Sequence, residues 1–186
     1  MPKTFTPSPT DLTYEDFLTL PDDGKRYEIL DGELHVTPSP LTTHQRAVMN
    51  LGALLHHHVR RNGLGEVFLA PPDVILAETT IVEPDLLFIA RQRAKIITRA
   101  NIRGAPDLIV EVLSRRTARV DRGRKKKLYA RYGVQHYWLV DPDTRSVEVY
   151  ALENGKYRLI GHYTEHTSFE PSLFPGLTIS LDEVWD

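Results

Sequence analysis

Two aliphatic stretches of this sequence each carry an acid that such stretches rarely tolerate. Glu111 lies between Val110 and Val112 in PDLIVEVLS, and Asp85 follows Pro84 at the head of DLLFIA. A carboxylate in an aliphatic strand is costly to desolvate unless it meets a cation, a hydrogen-bond partner or an opening to water. Strand alternation puts Asp107, Ile109, Glu111 and Leu113 on one face, with Leu108, Val110 and Val112 on the other. If the two strands lie side by side, Asp85 and Glu111 come together, and they repel unless one is protonated or a divalent cation sits between them. Mg²⁺ takes one or two carboxylates and completes its shell with waters and phosphate oxygens. A site for Mg²⁺ or Mn²⁺ therefore accounts for both acids. The structural alternatives are an arginine pair for Glu111 and an ordinary X-Pro-Asp strand start for Asp85.

The complementary charge follows at once. Arg115, Arg116, Arg119, Arg122, Arg124, Lys125, Lys126, Lys127 and Arg131 are nine of the 23 basic residues, in a chain whose net charge is -2. A solvated basic face is the default for such a run. Its start only four residues after Glu111 instead points to a patch that grips phosphates, and so to a nucleic-acid partner. On a helix, Lys125, Tyr129 and Tyr132 fall on one stripe. Tyr129 and Asp107 join the candidate site residues on these grounds of face and spacing. His56, His57 and His58 are consecutive, point about 100° apart on a helix and cannot chelate one ion together. His44, near the start of the same helix, is the better candidate, its alternative role being a helix-start hydrogen bond. With no cysteine, any metal falls to carboxylates, histidines, carbonyls and water.

The elements that must position these groups are legible in outline. Residues 1–12 read as an extended arm, and residues 13–186 as one domain. Thr13 and Asp16 make a capping box for a short helix ended by Pro21. Apolar alternation on both sides of Asp31-Gly32 predicts a hairpin with strands at 26–30 and 33–37 and a type I′ turn. Val48, Leu51, Leu55 and Val59 predict a helix over 42–62, stopped by Gly63. EVFLA, DVILA, IVEPDLLFIA and PDLIVEVLS read as strands, with a short helix over 91–98 among them. The basic segment reads as a helix ending at Gly133. HYWLVD, SVEVYAL and KYRLIGHY are further strands, with Trp138 and Tyr137 read as core and sheet-surface residues, and SLDEVW is a closing helical turn. The sum is an α/β (α+β) domain with a central mixed sheet flanked by helices. There is no Gly-rich phosphate loop and no strict βαβ alternation, which argues against a doubly wound nucleotide fold.

The composition, 41% apolar and 26% charged, is that of an ordinary globular domain. No stretch approaches the roughly 20 apolar residues needed to cross a bilayer, and the N-terminus lacks an apolar leader core, so a cytoplasmic protein without a membrane partner is expected.

Taken together, YEILDGELHV, SPLTTHQ, EVFLAPPDVIL, VEPDLLFI, GAPDLIVEVLS, DRGRKKKLYARYGVQHYWLVDPDTRSVEVY and LFPGLTISLDEVW resemble the Uma-type putative restriction endonucleases of the PD-(D/E)xK nuclease superfamily. The resemblance implies a restriction-endonuclease-like fold, Mg²⁺-dependent cleavage of DNA and a homodimer. It implies that Asp85 and Glu111 are the acids of the two catalytic strands and that Glu28 or Glu33 adds a further carboxylate. One departure stands out: the superfamily motif places lysine two residues after the second acid, where this chain has Leu113. Lys125 matches the position that supplies the lysine from a helix, with Lys127 as the fallback. If neither reaches Glu111, the fold is expected to serve as a nucleic-acid-binding or regulatory module that does not cut.

Overall fold

Asp31 and Gly32 adopt φ of 50° and 82°, the positive angles that a two-residue hairpin needs and that Gly reaches without steric cost. They join β1 (Arg26–Leu30) to β2 (Glu33–Thr37) in the register Leu30↔Glu33 and Glu28↔His35. The computed structural model describes residues 12–37 and 39–186, so residues 1–11 of the expected arm lie outside the described residues. The Thr13 N–H donates to the Asp16 carboxylate at 2.8 Å, opening α1 (Tyr14–Phe17). The long helix α2 spans Thr42–Asn62, and Gly63 ends it in the left-handed conformation.

Then come β3 (Gly65–Leu69), β4 (Val74–Ala77), β5 (Thr80–Val82), β6 (Leu86–Ala90), a 3₁₀ helix at Arg91–Ile96, β7 (Ile102–Arg103) and β8 (Leu108–Val112). The basic segment is one continuous helical stretch made of α3 (Ala118–Val120), a π turn over Asp121–Lys125 and α4 (Lys126–Arg131). The chain closes with β9 (His136–Asp141), β10 (Ser146–Glu153), β11 (Lys156–Thr164), β12 (Ser168–Phe169), β13 (Ile179–Ser180) and α5 (Leu181–Trp185).

The central mixed sheet has six strands in the order β11-β10-β9-β8-β6-β3. Only β8 and β9 run parallel in it, and a parallel pair of neighbours requires a crossover. The basic helical stretch is that crossover, so it is carried back over the face of β8 and β9. The opposite face packs on α2 and α5, where Leu51, Leu55, Val110, Trp138, Val140 and Val184 form the larger core. The crossover face holds Ile109, Leu113, Tyr129, Tyr137 and Leu139. Leu113 is thus a core residue.

Sequence reading foresaw one central sheet, whereas the hairpin helps build a second, in the order β2-β1-β5-β4-β7. Its β1–β5 seam is formed at Ile29↔Ile81, a long-range pairing that no local pattern announces. With the hairpin held there, the face bearing Arg26, Glu28, Leu30, Glu33 and His35 is turned toward the basic helix.

Candidate active site

Glu111 and Asp85 meet because β6 and β8 pair antiparallel with Leu86 opposite Val110, which puts the preceding Asp85 across from the following Glu111. Both acids are buried, at 3% exposure each. The Asp85 carboxylate accepts from Arg26 Nη1 at Oδ1 (2.7 Å) and from the Val112 N–H at Oδ2 (2.8 Å). His44 Nε2 lies 3.1 Å from the same Oδ2; facing a carboxylate, that nitrogen carries the proton. His44 Nδ1 is buried and has no partner among the described residues. Burial alone would raise Asp85, but the His44 hydrogen bond and the Arg26 guanidinium override it and hold the carboxyl at about 2.

Glu111 has a different environment. Tyr129 OH donates to Oε1 at 2.6 Å and Lys125 Nζ reaches the same oxygen at 3.1 Å, so Oε2 takes neither bond. Burial pushes this carboxyl up to about 8; Lys125 opposes the rise, while Asp121, Asp85 and Glu28 add to it. Lys125 also contacts Glu28 Oε1 at 2.8 Å and Asp121 Oδ1 at 3.6 Å. Burial would lower its pKa, but the three acids keep the ammonium well above its usual range. The π turn shapes this cluster. Its wider winding spans Asp121–Lys125, both of which are buried, and the Asp121 carbonyl is held by Tyr137 OH at 3.1 Å.

Of the two hairpin acids, Glu28 lies in the cluster. Its Oε1 also accepts the Glu83 N–H at 2.9 Å. Glu33 lies on the edge strand, paired with Arg124. Both acids share one face of the hairpin, so what separates them is that β1 is interior to the second sheet and β2 is its edge. A cavity of about 460 Å³ opens onto Arg26, Glu28, His44, Asp85, Glu111 and Lys125, and Arg115 and Arg116 stand at its wall.

The family model described as Uma2, Putative restriction endonuclease, matches residues 14–182. The chain belongs to this family. A crystal structure of a putative nuclease belonging to DUF820 from Anabaena variabilis ATCC 29413 superposes with a TM-score of 0.76, covering 94% of this chain and 97% of the other at 21% sequence identity. That likeness is one of fold, and the fold is the restriction-endonuclease-like one, mixed sheets flanked by helices. No curated protein sequence matches.

Within this Uma2 domain the other candidates are spread more widely. Asp107 shares the Glu111 face but lies at the far end of β8, bound to Arg93 Nη1 at 2.9 Å and to the Ala90 N–H at 2.8 Å. Arg115, Arg116, Arg119 and Lys127 are exposed, and Arg115 Nε is 3.3 Å from Asp143. Arg122 is paired with Glu148 and Asp141. Arg124 holds Glu33, and Lys126 sits over the Tyr150 ring, 3.5 Å from its centroid. His56 and His57 are exposed on α2, away from the cavity.

Three members of the cluster were not singled out from sequence. Arg26 bridges Asp85 and Glu83, with Nη2 on the Glu83 carbonyl and Nε 3.5 Å from its Oε2; its one signal was the i, i+2 spacing from Glu28 on a strand. Asp121, one turn before Lys125, carried the i, i+4 signal. Glu83, just before Pro84, is raised to about 7 by burial, which Arg26 opposes.

Among the described residues no three His, Asp or Glu side chains form a ready-made metal cage. The donor set nonetheless suits a hard cation held by two carboxylates and completed by water and phosphate. Glu111 offers Oε2, and Asp85, itself ionised near neutral pH, offers Oδ1, which carries a single hydrogen bond.

Proposed function

We propose that this chain is a divalent-metal-dependent endonuclease of DNA, with Asp85 and Glu111 as ligands for Mg²⁺ or Mn²⁺ and Lys125 as the cation of the reacting phosphate. The observation that carries this reading is the contact of Lys125 with Glu111 at 3.1 Å. It gives the second acid a lysine partner although Leu113 occupies the neighbouring strand position. A bound divalent ion would supply polarisation of a phosphate oxygen and acidification of a water.

The rest of the work falls to side chains. Lys125, desolvated and fixed by Glu28, Glu111 and Asp121, presents a permanent positive charge at the cavity wall, where it offsets charge that builds on phosphate oxygens during displacement. Glu28 fixes the ammonium, and Tyr129 fixes Glu111 so that Oε2 is left for the metal. His44 and the Val112 N–H lock Asp85 in one orientation and leave Oδ1 as its ligand atom. Arg115, Arg116, Arg119 and Lys127 grip the backbone, contributing affinity without sequence information.

A manganese-soaked crystal tests the assignment. Anomalous density in contact with both Asp85 and Glu111 is expected; density only at other acids would contradict it.

One observation favours a second reading. Lys125 is already neutralised by three acids and Arg26 already occupies Asp85, as in a closed ion-pair network that needs no metal. On that reading the fold binds nucleic acid without cutting, and salt-dependent DNA binding with no cleavage under any divalent ion would support it.

A further inference from the structure

We infer that the site takes an unpaired DNA strand and not a continuous duplex. This inference rests on the nuclease reading above for its chemistry, but on the shape of the site for its substrate.

The groups that must meet the phosphate are recessed. The side chains of Asp85, Glu111 and Lys125 expose 5%, 4% and 6% of their surface. A scissile phosphate has to descend into the cavity to reach them, and its two flanking nucleosides must descend with it. In a duplex those nucleosides are held by pairing and stacking on a rail of charges spaced 1.7 Å apart along the axis, so one phosphate is not lowered alone. A strand without a partner bends freely.

Size agrees with this. The cavity of about 460 Å³ and a second hollow of about 560 Å³ share Glu28, Asp121 and Lys125 among their lining residues. Each is the size of a pocket for one small molecule. With Lys125 lining both, the two hollows offer neighbouring places that suit successive nucleotides of one strand.

The chemistry of the two openings agrees as well. The lining of one includes Arg115 and Leu41, which is 70% exposed; that of the other includes Lys25 and Val36, 49% exposed, and both cations also contact acids, Asp143 and Asp23. A cation and an exposed aliphatic side chain in one opening match what an unpaired nucleotide offers, a phosphate and a bare base face. A duplex stacks its base faces away and would leave Leu41 and Val36 without partners.

The test uses the full chain with Mn²⁺ and three labelled DNAs of one sequence: a single strand, a duplex, and a duplex with a central unpaired bubble. Cleavage of the single strand, and of the bubble within its unpaired nucleotides, is expected at a kcat/KM roughly tenfold or more above that of the duplex, the size of one base contact. Equal or faster cutting of the duplex, cuts confined to paired positions, or a preference for RNA of the same sequence would overturn the inference. The same DNAs are compared by fluorescence anisotropy with Ca²⁺ in place of Mn²⁺, which reads substrate choice even if nothing is cut and the nuclease reading fails. Tighter binding of the single strand, lost in the double variant Leu41→Ser with Val36→Ser while duplex binding is unchanged, supports the inference; equal or tighter duplex binding overturns it.

Discussion

Lys125 and Glu111 meet at 3.1 Å although a strand end, a loop and a π turn separate them in the chain. The connection works because β8 and β9 are parallel neighbours. The crossover between them must pass back over the sheet, and the face it covers is the one that carries Glu111. Lys125 therefore reaches from the helix the acid that Leu113, buried in the core beneath, cannot serve.

Removal of that lysine should be costly in a pH-dependent way. In Lys125→Met, Glu28, Glu111 and Asp121 lose their common cation, and breaking a buried pair from one side costs about 3–5 kcal/mol. Urea unfolding at pH 8 should register a loss of this order. At pH 5, where a proton can replace the ammonium on Glu111, the loss should be clearly smaller.

The metal-free protein should be most stable on the acidic side of neutrality. Glu111, with an ordinary pKa of 4.5, is raised to about 8, and Glu83 to about 7. Between 4.5 and those values the folded state holds protons that the unfolded chain has released, so stability falls as pH rises through this window. Asp85 has the opposite sign. Its pKa is lowered from 3.8 to about 2, so its contribution is present above 3.8 and is lost as pH falls through about 2. Thermal melts from pH 3 to pH 9 should peak near pH 4–5 by this linkage, and Glu111→Gln should flatten the alkaline slope.

Hydrogen bonding by Tyr129 gives a smaller and separable effect. Tyr129→Phe leaves the ring packed on Tyr137 but removes the 2.6 Å bond to Glu111. Above pH 8, where Glu111 is ionised, a bond of this kind contributes about 1.5–3 kcal/mol. Denaturant titration should register a loss in that range with an unchanged m-value.

The basic residues divide into two groups that DNA binding should distinguish. Arg116, Arg119 and Lys127 are exposed and make no ion pair among the described residues, so replacing each by Ala should lower the slope of log K against log salt by about one. Arg122 and Arg124 are committed to Glu148 and Glu33, and their replacement should leave that slope nearly unchanged. Equal effects from both groups would mean that the ion pairs open on binding.

Local chemistry accounts for what the sequence disclosed. The hairpin follows from Asp31-Gly32, α2 from its apolar period and Gly63, and the shared face of Asp107, Glu111 and Leu113 from strand alternation. Long-range pairing accounts for most of what it withheld. The second sheet rests on a seam at Ile29↔Ile81, and only that sheet distinguishes interior Glu28 from edge Glu33. Arg26 looked like any cation at a strand start until the same seam brought it to Asp85. The π turn was equally hidden, since nothing in DRGRK distinguishes it from an α-helical turn.

Closed circular DNA, double- and single-stranded, incubated with the protein and Mg²⁺ or Mn²⁺ tests the central claim most directly, because a circle becomes linear only by an internal cut. The wild type should linearise at least the single-stranded circle, and Asp85→Ala and Glu111→Ala should each lose activity by about a hundredfold or more, as expected for removal of a group that holds the catalytic ion. Variants as active as the wild type, or circles left intact under every divalent ion, would contradict the account.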